Sequence, residues 1–150
     1  MKKQLFLSFI AAALTITTVS FTSPALAHGG RPLDATLTGA AEVPGPGDPD
    51  ATGHAQVTLN LGQGEVCYEI QVANLLLPAA AAHIHVSSAT VAGPVVIGLA
   101  APDATGHAEG CITGVDRDLV KAIIQNPANY YVNVHTSQYP AGAVRGQLSK

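Results

Sequence analysis

Three histidines carry the most specific chemical potential in this chain. His83 and His85 stand one residue apart in Ala82-His83-Ile84-His85-Val86, and His135 closes Tyr130-Tyr131-Val132-Asn133-Val134-His135. Both stretches read as β-strands, in which successive side chains point to opposite faces. His83 and His85 then share one face, with Ile84 and Val86 on the other. His135 shares its face with Asn133 and Tyr131, opposite Val132 and Val134. Imidazole nitrogens bind Zn²⁺ or Cu²⁺ at about 2 Å. Alternate strand residues can converge on one such ion, with His135 as third ligand and His54 or His107 as candidates for a fourth. The competing reading is structural: His83 and His85 hydrogen-bond loops and the Arg145 region. Other chemistry is thin. Ser87, Ser88 and Ser137 lie near histidines, but no Gly-x-Ser-x-Gly elbow accompanies them. The carboxylates sit mostly in turns and form no evident acid/base pair, and no catalytic residues stand out.

Short alternating segments must position these side chains. The first strand is expected at Asp34–Gly39, where Leu33, Ala35 and Leu37 alternate with polar residues. Pro44 to Asp50, with three prolines and two glycines, is expected as an exposed turn. His54–Leu61 and Glu65–Val72 both alternate cleanly around Gly62-Gln63-Gly64, the pattern of a β-hairpin. Further strands are expected at Ala82–Val86, Pro94–Leu99, Gly106–Thr113, Tyr130–Thr136 and Ala143–Leu148. Residues 116–125 are the helical candidate. Asp116 can cap the start, and Leu119, Val120, Ile123 and Ile124 form an apolar face at spacings of three and four. The heptapeptide Pro49-Asp50-Ala51-Thr52-Gly53-His54-Ala55 recurs letter for letter at Pro102–Ala108, each copy leading from a turn into a strand. Several short strands with one helix predict an all-β, antiparallel β-sandwich.

The amino terminus reads as a secretory signal. Lys2 and Lys3 precede a largely apolar stretch from Leu5 to Phe21, and Ala25-Leu26-Ala27 has the small-residue form of a cleavage site. Residues 1–27 are thus expected to be removed, leaving one domain over 28–150 with no membrane span and His28 at its start. With Lys2 and Lys3 gone, five basic residues face ten acidic ones. That balance argues against nucleic acid as a partner. The expected location is extracellular or periplasmic. In such an oxidising compartment Cys67 and Cys111, the two cysteines, are expected to form a disulfide.

The chain also resembles the CHRD domain, named for chordin and found in secreted bacterial proteins. The resemblance rests on His83-Ile84-His85, then Gly93-Pro94-Val95-Val96, then Tyr131-Val132-Asn133-Val134-His135-Thr136, Pro140-x-Gly142 and Arg145-Gly146-Gln147-Leu148. Thr36-Leu37-Thr38-Gly39-Ala40-x-Glu42-Val43-Pro44 is similar to the family's opening. It spans about Leu33 to Leu148. It implies an immunoglobulin-like β-sandwich or barrel, and little about activity. The chain departs from the pattern twice: Val86-Ser87-Ser88 stands where glycine usually follows His-x-His, and Ala143-Val144 where an acidic residue usually precedes Arg-Gly-Gln.

Two functional classes follow. One is a secreted, non-enzymatic binding or structural module for an unknown extracellular or cell-surface ligand. The other is a copper- or zinc-binding protein using His83, His85 and His135. Copper–zinc superoxide dismutase offers an analogy, as an exported β-sandwich with a His-x-His strand and a disulfide, but no second, bridged site is evident here. Arg145 and Asn133 are expected as structural or ligand-contacting residues, with Arg145 pairing with Glu42 or Asp34. Tyr130, Tyr131 and Tyr139 are candidates for an aromatic ligand patch or for core packing.

Overall fold

The computed structural model describes residues 29–150. The expected signal segment and His28 lie outside these residues. Eight strands form: β1 (Arg31–Thr38), β2 (Thr52–Asn60), β3 (Glu65–Ala73), β4 (Ala81–Val86), β5 (Val95–Leu99), β6 (His107–Ile112), β7 (Tyr130–His135) and β8 (Val144–Gln147), with α1 (Arg117–Gln125) between β6 and β7. All pairings are antiparallel. The expected all-β class with one short helix holds, and each expected strand is present with its ends within three residues of expectation. Among these residues no helix is long and apolar enough to cross a membrane.

The strands join into one sheet of order β5-β4-β7-β8-β1-β2-β3-β6. Where a two-sheet sandwich is expected, the eight strands form a single sheet that curls on itself. Inward residues of both its halves, among them Leu33, Val57, Val66, Ile84 and Val132, meet in one buried cluster. The curl brings the chain beyond β5 back to β3, where the Ala100 amide donates to the Tyr68 hydroxyl at 2.8 Å. Helix α1 begins as expected, with the Asp116 carboxylate accepting from the Asp118 amide. It adds Val120 and Ile123 to the same core.

The repeated heptapeptide has a structural meaning. Its copies open β2 and β6, which lie on either side of β3. His54 and His107 both stand opposite Gln71, and Ala55 and Ala108 both stand opposite Ile70. The expected entry of two related strands is therefore realised with an identical register. His54 pairs with Asp34 at 3.3 Å, and His107 faces Glu109 at 3.8 Å.

Cys67 and Cys111 occupy directly opposed positions on β3 and β6 and are joined by a disulfide. The link closes a loop over a sequence separation of 44. By the chain-entropy model such a loop contributes about 3–4 kcal/mol. A Cys67→Ala/Cys111→Ala variant is expected to lose most of that in urea denaturation, with a larger m-value because the uncrosslinked chain unfolds to a more exposed state. A loss under about 1 kcal/mol would show that β6 is held by its ladder alone.

Candidate functional site

On the face of the sheet turned away from the core, β4, β7 and β8 carry a polar layer. Register dictates its order. His85 stands opposite Tyr131, which stands opposite Gln147. His83 stands opposite Asn133, which stands opposite Arg145, and Ala81 stands opposite His135. This face is covered, so that His85, Tyr131, Asn133 and Arg145 are all buried, while His83 and His135 are partly open. The covering comes from two returning segments. The chain after β1 is held by the Gly47 amide donating to Gly39 and the Asp48 amide donating to Ala143. The chain between β4 and β5 is held by side chains of β7 and β8. The turn expected at Pro44–Asp50 is thus only partly exposed, since Gly47 is buried.

The three imidazoles converge. One ring nitrogen from each of His83, His85 and His135 lies within 4.8 Å of the others. His83 Nδ1 and His135 Nε2 are 3.2 Å apart. That is close to the donor separation of about 3.3 Å that a tetrahedral ion with 2.0 Å bonds sets. The tautomers follow from the partners. His85 Nδ1 lies 2.8 Å from the Gly93 carbonyl, and His135 Nδ1 lies 3.1 Å from the Pro140 carbonyl. A carbonyl only accepts, so both Nδ1 atoms carry the proton and both Nε2 atoms carry a lone pair, that of His135 facing His83 Nδ1. Carbonyl contacts of this kind orient histidines that ligate metals. His85 Nε2 is buried and has no hydrogen-bond partner. Burial holds the pKa of His83 below the ordinary imidazole value, and neighbouring His85 lowers it further. Burial also lowers that of His135, against the Pro140 carbonyl. Neutral rings are the metal-binding form.

Two loop glycines explain parts of the sequence motif. A side chain at Gly93 would collide with the Val86 carbonyl, and this close approach brings the Gly93 carbonyl to His85. Gly142 has φ +148° and sits against the Glu42 carboxyl, where any Cβ would collide. The His-Thr and Pro-x-Gly elements make one turn, in which the Tyr139 amide donates to Thr136 Oγ1 and the Gly142 amide donates to the Tyr139 carbonyl.

The other expected site residues separate. His54 and His107 do not approach the triad; they flank β3 with their own acidic neighbours. The physical reason is the register, which places them at the start of strands in the other half of the sheet. No three-tyrosine patch forms. Tyr130 faces the core while Tyr131 faces the polar layer, as neighbours on a strand must, and both are buried. Arg145 does not pair with Asp34. Its guanidinium donates to the Ser88 carbonyl at 2.7 Å, the Val91 carbonyl at 3.2 Å and Gln147 Oε1 at 3.1 Å. It lies over the Tyr131 ring at 3.4 Å. Glu42 acts on it through charge. Asn133 donates to Glu42 Oε1 at 2.9 Å. Sequence reasoning missed the stack of His85 on Tyr131, with centroids 4.7 Å apart and planes at 7°. The shared face of Tyr131 and His135 was its only signal.

The model of the CHRD domain family matches residues 33–148. The chain belongs to the CHRD domain family. No curated protein and no solved structure matches it significantly. The motif segments of this CHRD domain fall on one structural unit. His83-Ile84-His85, Gly93-Pro94, His135-Thr136, Pro140-x-Gly142 and Arg145-Gly146-Gln147 all build the polar layer or the segments covering it.

Proposed function

We propose that this CHRD domain is an exported, non-enzymatic binding module that holds a copper or zinc ion at His83, His85 and His135. The observation that carries the reading is the buried, unpartnered lone pair of His85 Nε2 beside two further imidazoles whose nitrogens lie within 4.8 Å. A buried acceptor without a partner is unfavourable by about 1–3 kcal/mol, and an ion would turn it into a bond. Three protein ligands leave one position of a tetrahedral ion for a solvent or ligand atom. In this reading residues 1–27 direct export and are removed, and residues 28–150 function in an oxidising extracellular or periplasmic space, to which the Cys67–Cys111 disulfide is suited. The acidic balance of the mature chain disfavours nucleic acid as partner.

Metal analysis of untagged protein tests this. One equivalent of Zn²⁺ or Cu²⁺ is expected by titration calorimetry, and metal at 100 times Kd is expected to add about 2.7 kcal/mol of stability. A His83→Ala/His135→Ala variant is expected to lose both effects. The second reading, favoured by the 3.2 Å contact between His83 and His135, is that these rings only tie the site together. It prevails if wild-type protein takes up neither ion and its Tm is unmoved by them.

A further inference from the structure

The segment Ser87–Gly93 crosses the polar layer and is held from beneath by side chains. Gln147 Nε2 donates to the Ser87 carbonyl at 3.0 Å. Arg145 donates to the Ser88 and Val91 carbonyls. The Gly93 amide donates to the Tyr131 hydroxyl at 3.2 Å, and the Gly93 carbonyl accepts from His85 Nδ1. One residue thus links the segment to Tyr131 through its amide and to His85 through its carbonyl. Tyr131 also stacks on the His85 ring, and Arg145 lies on Tyr131. Position, plane and tautomer of His85 are therefore set by a ring and a loop outside the three converging imidazoles.

We infer that Tyr131 and Arg145 are positioning residues for metal uptake: they clamp Ser87–Gly93 so that the Gly93 carbonyl fixes His85 with Nε2 toward His83 and His135. This rests on the metal-binding reading above. Linkage makes the effect reciprocal, because a ligand that favours the clamped His85 stabilises the clamp by the same factor. An ion on Nε2 requires the Nδ1–H form and makes that proton a stronger donor to Gly93. Metal binding is thus reported at the surface by a more tightly held Ser87–Gly93 segment, in which Ser88 to Ala92 are exposed. Arginine suits the role because one planar guanidinium both stacks on a ring and reaches two carbonyls. A lysine ammonium cannot reproduce that geometry.

The test uses the untagged mature chain, Zn²⁺ alone as probe, and the variants Tyr131→Phe and Arg145→Lys. Tyr131→Phe keeps the stack and removes the acceptor for Gly93. It is expected to weaken Zn²⁺ binding by roughly 10-fold, within the range found for outer-shell changes. Arg145→Lys is expected to weaken it at least as much. In wild type, saturating Zn²⁺ is expected to slow amide exchange across 88–92 by roughly 10-fold, the factor linkage requires if the unclamped form binds that much more weakly. Nitrogen NMR shifts are expected to show His85 as the single Nδ1–H form in wild type and as a tautomer mixture in Tyr131→Phe. Wild-type affinity in both variants overturns the clamp, as does unchanged exchange in wild type that demonstrably binds Zn²⁺. Absence of Zn²⁺ binding in wild type instead overturns the metal reading, and the clamp proposal with it.

Discussion

Replacing Glu42 with glutamine is expected to stabilise the protein at about pH 8 and to leave it nearly unchanged at about pH 4. Glu42 is 5% exposed and follows β1 into the covering segment. Burial raises its pKa from 4.5 to about 7, against the opposing influence of the Asn133 amide and the Arg145 charge. The folded state therefore holds the proton more tightly than the unfolded chain. Stability linked to this group is complete below pH 4.5 and is lost as pH rises through about 7. A pKa moved that far corresponds to at most about 3 kcal/mol. Partial solvation of the ionised form brings the expected gain for Glu42→Gln to about 1–2 kcal/mol at pH 8. The glutamine keeps the acceptor for Asn133 Nδ2. The lowered pKa values of His83 and His135 act the other way, reducing stability as pH falls below 6.5. The measurement is thus the difference between variant and wild type in urea denaturation across pH. A Glu42→Gln variant less stable than wild type at pH 8 would refute the assignment.

The second large effect is expected at Arg145. Its side chain is 1% exposed and is among the largest fully buried in the molecule. Arg145→Ala removes three hydrogen bonds and the stack on Tyr131, and it leaves the carbonyls of Ser88 and Val91 without their donor. Hydrogen bonds to a charged group and a cavity of that size together predict a loss of about 3–5 kcal/mol. Thermal unfolding monitored by circular dichroism measures it. A loss below about 1 kcal/mol would mean that the covering segment is held by its backbone alone.

Alternation made most of the fold legible. Val57, Leu59, Val66 and Ile70 face one way along β2 and β3, and each is buried. Helix α1 was readable for the same reason, from Val120 and Ile123 at three-residue spacing. The triad was readable because a two-residue period fixes which side chains share a face. Less legible was the second buried layer. Tyr131 and Asn133 belong to the polar face of β7, which alternation alone assigns to solvent, yet both are buried. Periodicity within a strand records what that strand alternates. It carries no record of loops that fold back over it. Glu42 shows the same limit. Its carboxyl is buried only because β1 is followed by a segment that turns under Ala143, a contact about a hundred residues distant in the chain.

The twin strand openings beside β3 bear on how errors in assembly would appear. Strands β2 and β6 are entered through the same seven letters, and the His-Ala pair of each copy meets β3 at the same two residues. Either opening can therefore be recognised by the β3 of a neighbouring copy, at no penalty in its first contacts. The copies stop being equivalent further along, where Thr58 stands opposite Cys67 on one side and Cys111 on the other. Only β6 can be sealed covalently to β3. A strand exchanged between two molecules on that side would be recorded as a covalent dimer, whereas an exchange of β2 would leave no such mark.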